Sequence, residues 1–219
     1  MGKAKNNPEI EWVIPNERGI IPVGKVYCSK SLKKIVKRNE FSISFNKNFN
    51  EVINNCANRK TTWINSTIYN LFITLHQMGF AHSVEVCRNK VLVGGLYGLT
   101  LGSVFFAESM FSTFPNSSKL ALIAMMAKIN YGGFKVFDTQ FPSKHLNTLG
   151  GISISKEEFK QKLHLTDEET ENCFTESLKS SSESVELYSL TKDIRENFSK
   201  EEIISQVQDD LLMGDAISL

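Results

Sequence analysis

Charge is missing where a chain of this size usually has it: from Val91 to Ala107 there is no Asp, Glu, Lys or Arg. Four glycines (Gly94, Gly95, Gly98 and Gly102) interrupt the apolar residues instead. The run is too short and too glycine-rich for a membrane span, which needs about 20 mostly apolar residues. Cysteine is also sparse. Cys28, Cys56, Cys87 and Cys173 lie far apart, with no C-x-x-C pair and no histidine at ligand spacing. That argues against a disulfide framework and a zinc site, and fits a reducing cytosol. His76, His82, His145 and His164 show no metal spacing either. G-x-S-x-G is absent, so Ser109, His82 and Asp138 are not read as a catalytic triad. MGKAKNNPEIEW lacks the apolar core of a signal peptide, and Asn6 stands where myristoylation wants Ser or Thr. A soluble cytoplasmic protein is the expectation.

In place of charge the middle of the chain holds short apolar words. VEVCR, KVLVGGLYGLT and SVFFAE predict buried strands, with tight turns at Arg88-Asn89 and Thr100-Leu101-Gly102. Glu108 closes the most hydrophobic of them, where a carboxylate must meet a partner or bear a large desolvation cost. FSISFN and FKVFDTQF predict two further strands, the second ended by Phe141-Pro142. Four helices are expected. The first opens at Ser29 and runs through the basic LKKIVKRN, and the second covers Phe49 to Cys56. The third covers Ser66 to Met78, with Ile68, Leu71, Phe72 and Leu75 on one face and Gly79 as its stop. The fourth covers Ser117 to Ile129 and is closed by Tyr131-Gly132-Gly133. Pro8, Pro15 and Pro22 leave residues 8–26 short and turn-rich. The order of these elements predicts an α/β protein.

Net charge is +1, but it is divided unevenly. Residues 1–150 hold 18 Lys and Arg against 8 Asp and Glu, and residues 151–219 hold 7 against 16. A body at +10 beside a tail at −9 suits a polyanionic partner for the body. From Lys156 onward, TDEETEN, SLKSSSES and TKDIRENFSKEEIISQVQDDLL predict an acidic, partly helical, loosely attached extension.

AHSVEV, LVGGLYG, FFAESMFS, SSKLAL and DTQ, in this order and spacing, resemble the leucyl/phenylalanyl-tRNA–protein transferases, and the likeness runs from about Asn7 to Gly151. The resemblance implies the fold of GCN5-related acetyltransferases, a mixed sheet with packed helices. Residues 1–38 would be the remnant of a small amino-terminal domain, residues 39–155 the catalytic domain, and residues 156–219 an acidic extension that the family does not usually carry. The resemblance implies transfer of leucine, or else phenylalanine or methionine, from aminoacyl-tRNA (Leu-tRNA or Phe-tRNA) to acceptor proteins beginning with Arg or Lys, in the N-degron pathway. A cytoplasmic monomer with no membrane partner is expected. The glycine-containing pyrophosphate loop of the acetyltransferases is not found, so acyl-coenzyme A is not the implied donor. The aminoacyl ester is already activated, so no cofactor and no metal are expected.

Residue by residue, the resemblance implies a catalytic set of Asp138 and Gln140, from DTQ, with Glu108 holding the aminoacyl end. Asp138 and Gln140 are two apart on a predicted strand, so their side chains should face one way. Trp63, in TTWIN, and Trp12, in EWVIP..R, would stack the 3′-terminal adenine. Lys30, Lys33, Lys34, Lys37 and Arg38 form the densest basic cluster and would meet acceptor-stem phosphates without reading sequence. Leu96, Phe105, Ala107, Met110, Met125 and Phe137 would line a dry pocket for the donor side chain. Ala107 replaces the family's usual glycine, and Phe137 is bulkier than the aliphatic residue often found there, so leucine should be preferred to phenylalanine. Ser143 departs from the usual Asn or Thr. Two readings stay open beside this one: the same scaffold with another donor or an acidic acceptor terminus, and a weakened tRNA- or peptide-binding protein.

Overall fold

A computed structural model of the protein describes residues 13–164 and the short strand Val185–Glu186. Trp12 and the remainder of the acidic extension lie outside the described residues. The strands are β1 (Glu17–Pro22), β2 (Ser42–Phe45), β3 (Ala81–Arg88), β4 (Val91–Leu101), β5 (Val104–Ser112), β6 (Val136–Gln140), β7 (Ile152–Ser155) and β8 (Val185–Glu186). The helices are α1 (Lys30–Lys37), α2 (Phe49–Ala57), α3 (Ser66–Gln77), α4 (Ser117–Tyr131), α5 (Lys144–Asn147) and α6 (Lys156–His164). One mixed sheet, in the order β7-β1-β6-β5-β4-β3-β2-β8, carries the helices on its two faces. This is the mixed α/β architecture expected from the sequence. Among the described residues no helix is long and apolar enough to cross a membrane.

Alternation along the strands divides the core. Leu96, Phe105 and Phe137 join α1 and α4 on one face, in a cluster that includes Leu32, Val36, Leu120 and Met125. Their neighbours Tyr97 and Phe111 join α2 and α3 on the other, with Phe49, Val52, Ile53, Ile68 and Phe72. Val104 and Val136 belong to a third cluster, where Phe159 of α6 packs with Ile20 and Ile154. The helix α4 is buried on every side from Leu120 to Ile129, and of those residues all but Lys128 are apolar. The turn between β3 and β4 places Asn89 (φ 51) and Lys90 (φ 66) in the left-handed region, the conformation that a tight two-residue hairpin requires.

Four elements depart from expectation. The sequence predicts residues 8–26 to be short and turn-rich, yet β1 lies inside the sheet, paired to β6 on one side and β7 on the other. Its buried Gly-Ile-Ile centre is too short to show a period. The strand β7 and the short helix α5 were not anticipated. The segment from Lys156 was read as loosely attached, but α6 docks on the body through Phe159, which is 6% exposed.

Candidate active site

The site begins where two strands part. β5 and β6 run parallel and pair only through Val104, Phe105 and Phe106 against Val136, Phe137 and Asp138. Beyond that point β5 continues along β4, while β6 stays on β1. Both strands are irregular just past the parting. On β5, Tyr97 pairs with Ser109 and Gly98 with Ala107, which leaves Glu108 as an extra residue, a β-bulge. On β6, Gly19 pairs with Gln140 and Ile20 with Asp138, which leaves Thr139 unmatched. A bulge reverses the inside–outside alternation after it. Here it brings Met110 to the face already occupied by Phe105 and Ala107, and sends Phe111 to the other. Gly98 makes this possible, because a Cβ there would run into the Phe106 carbonyl oxygen and the Phe105 ring.

Glu108 is half-buried at the bulge. Burial first, and the nearby Asp138 carboxylate second, raise its pKa to about 7. Asp138 is fully buried and held by Arg18 of β1: Nε donates to Oδ1 at 2.9 Å and Nη2 to Oδ2 at 2.5 Å. The Arg18 guanidinium lies 4.5 Å from the Phe159 ring centroid and 6.0 Å from that of Phe106, so α6 helps to fix it. Gln140 adopts φ 60, and its own backbone N–H donates to Asp138 Oδ1 at 3.0 Å. The simple alternation expected for Asp138 and Gln140 is therefore broken. The strand curls at its end, and the acid grips the Gln140 backbone and Arg18 instead of facing outward. The Gln140 side-chain nitrogen is buried with no partner among the described residues.

The six residues expected to line the donor pocket are brought together. Leu96, Phe105, Met125 and Phe137 are core residues of one cluster, with Ala107 and Met110 packed against it. Phe105 and Phe137 stack at 5.5 Å between centroids. All four core members are 1% exposed or less.

Trp63 is half-buried, edge-on to Phe72 at 6.5 Å, in the loop between α2 and α3. The basic cluster is on α1, which Ser29 caps by accepting from the Leu32 N–H at 3.2 Å. Leu32 and Val36 turn inward, and Lys30, Lys34, Lys37 and Arg38 are exposed, while Lys33 is half-buried. Arg38 is also drawn toward Glu40 at 4.0 Å. Burial and the neighbouring His76 lower the His82 pKa to about 3, which leaves His82 neutral and unsuited to base catalysis. Among the described residues no group of three His, Cys, Asp or Glu is placed to hold a metal ion.

Two arginines were missed as site residues. Arg18 closes EWVIP..R, the words quoted for Trp12, but no role attaches to it there; its signal is its place in those words. Arg59 lies in the loop that leads to Trp63. It donates to the Met110 carbonyl and, at 3.4 Å, to Ser109 Oγ, and it borders a cavity of about 350 Å³.

Known proteins resemble this chain over the same residues. The family model described as leucyl/phenylalanyl-tRNA protein transferase matches residues 20–164. A leucyl/phenylalanyl-tRNA–protein transferase of Dinoroseobacter shibae is 42% identical over 163 residues, which is 74% of this chain and 73% of the relative. One from Cereibacter sphaeroides is 43% identical over 163 residues, 74% and 76% of the two chains. A third, from a Ruegeria species, is 44% identical over 163 residues, 74% and 78% of the two.

Proposed function

The chain belongs to the leucyl/phenylalanyl-tRNA protein transferase family, and from that premise we propose how its residues move an aminoacyl group from tRNA to a protein. It is an aminoacyltransferase. In our reading the donor is Leu-tRNA, and the acceptor is the α-amino group of a protein beginning with Arg or Lys. The amine attacks the ester carbonyl, a C–N bond forms, and the C–O bond to the terminal ribose breaks. The proton that the amine gives up goes to the departing ribose oxygen. An α-amino group has a pKa of about 7.7–8.0, so it needs little help to become neutral. Orientation and stabilisation of the oxyanion carry the rate.

One observation supports this reading above the rest: a buried amide nitrogen on Gln140 with no partner among the described residues, beside the parted ends of β5 and β6. We assign it to the carbonyl oxygen that becomes the oxyanion. Asp138 is the positioning residue that fixes Gln140 through its backbone N–H, and Arg18 in turn fixes Asp138. Glu108 receives the α-amino group of the donor. Leu96, Phe105, Ala107, Met110, Met125 and Phe137 receive its side chain, Trp63 its adenine, and the α1 lysines the stem phosphates. The Phe105–Phe137 stack and Ala107 narrow that pocket, which favours leucine over phenylalanine.

The test is transfer of labelled leucine or phenylalanine from its tRNA to peptides beginning with Arg or Asp. Leucine on the Arg peptide, faster than phenylalanine at equal enzyme, is expected. Gln140→Ala should lower kcat about 10²-fold with tRNA binding retained. Label on the Asp peptide would overturn the acceptor assignment. Equal rates for both amino acids would overturn the donor preference.

A further inference from the structure

Next to Met110, which it shares with the donor pocket, lies a cavity whose polar lining the reaction as described does not use. The cavity of about 350 Å³ is lined by Asn55, Asn58, Arg59, Met110, Phe111, Ser112, Thr113 and Ser118. It sits between the end of α2 and the turn from β5 into α4. Its polar lining is one guanidinium, two carboxamides and three hydroxyls, with no carboxylate. Such a lining offers many donors and one positive charge, which complements a ligand rich in acceptors and negatively charged. The volume falls in the range of small-ligand sites, about 300–1,000 Å³.

Arg59 is set in place for that role. Its Nη2 donates to the Met110 carbonyl and to Ser109 Oγ, which ties the side chain to β5 one and two residues past the bulge at Glu108. A guanidinium has five N–H donors, so one nitrogen held by the protein leaves others for a ligand at a fixed angle. Arg59 is also four residues ahead of Trp63 in the same loop. On the transferase reading, Arg59 therefore links the cavity to the strand that carries Glu108 and to the loop that carries Trp63, the residues assigned to the two ends of the aminoacyl-adenosine.

We propose that this cavity binds the phosphodiester joining the terminal adenosine of the tRNA to the nucleotide before it, with Arg59 as the charged contact and Asn55 and Asn58 beside it. The proposal rests on the transferase reading above. It adds a site that acts on the polynucleotide donor alone, since an aminoacyl-adenosine carries no phosphate.

The experiment compares leucyl-tRNA with leucyl-adenosine as donors to one Arg peptide. Arg59→Ala is expected to raise KM for leucyl-tRNA about tenfold or more, the value of a hydrogen bond to a charged group, with kcat and the leucyl-adenosine kinetics little changed. A methylphosphonate at that single linkage should cost the wild type a similar factor and cost Arg59→Ala almost nothing further. Asn58→Asp, at an exposed position off β5, puts an anion at the cavity and should give the same selective loss, which decides the matter if Arg59→Ala does not fold. Equal losses with both donors would overturn the proposal, because Arg59 would then be acting through Met110 on β5. Independent, additive losses from methylphosphonate and Arg59→Ala would also overturn it. If the wild type transfers leucine from neither donor, the transferase reading fails and takes this site with it.

Discussion

Glu108 has a pKa of about 7, raised first by burial and then by the Asp138 carboxylate. The ordinary value for a glutamate is about 4.3, so the folded state holds the proton more tightly than the unfolded chain does. Its contribution to stability is full below the ordinary pKa and is lost as pH rises through 7, by about 4 kcal/mol at most. Glu108→Gln cannot ionise and should escape that loss. Its denaturation midpoint relative to wild type is expected to climb between pH 5 and pH 8, read from chemical unfolding at fixed salt. Parallel curves for the two proteins would mean that Glu108 is already ionised in the folded state, and the role given to burial would fail. Asp138 shows a different balance at the same scale. Both of its oxygens are engaged by donors, and a buried pair of this kind adds little net stability while it lasts but costs several kcal/mol when one partner goes. That is why a role for Asp138 is better read through Gln140 than from removal of the acid.

Among the elements, β5 shows what could and could not be foreseen. Its existence and its start follow from the apolar SVFFAE after a tight turn, but the sequence ends it at Glu108, where the structure continues the strand over Val104–Ser112. The bulge inside it does not follow from any period, because an extra residue is visible only against the partner strand. Yet the bulge decides which side chains share a face. With uninterrupted alternation, Met110 would leave the cluster that holds Phe105 and Ala107, and Phe111 would enter it. The six pocket residues were named from family words, which carry such irregularities silently, and they come together for that reason. Arg18 shows the opposite case. Its contacts span 120 residues of sequence, and no local period announces them; only its place in EWVIP..R marks it. Gly98 is the lever on this element. Gly98→Ala should drive the Phe106 carbonyl and the Phe105 ring aside. A destabilisation of about 1–3 kcal/mol is expected from such overpacking. Transfer should fall further than stability explains, because the displaced strand carries Glu108. A variant that loses the expected stability but keeps wild-type kcat would show that the bulge does not set the geometry of the reaction.

Taken whole, the molecule is polarised along its sequence, and that polarity has a sign for tRNA. Residues 1–164 carry 21 Lys and Arg against 10 Asp and Glu, and residues 165–219 carry 4 against 14. The α1 lysines stand on the positive part, and a polyanion approaching them is repelled by the negative part wherever the two come within a Debye length, about 10 Å at 0.1 M salt. Replacing the 14 acids of residues 165–219 with their amides keeps the chain length and removes the repulsion. The neutralised chain is expected to bind tRNA more tightly at low salt, by a margin that shrinks as salt rises and the charges are screened. Its dependence of log Kd on log salt should be steeper than that of the wild type, because counterions released by tRNA are then no longer offset by acids competing for the same lysines. Equal affinities across the salt series would place the acidic segment beyond electrostatic reach of the tRNA-binding face. A margin of tighter binding that stays constant across the salt series would point to direct contact between the amides and tRNA. Neither outcome is compatible with a screened, through-solvent repulsion, so two titrations over one salt series separate the three cases.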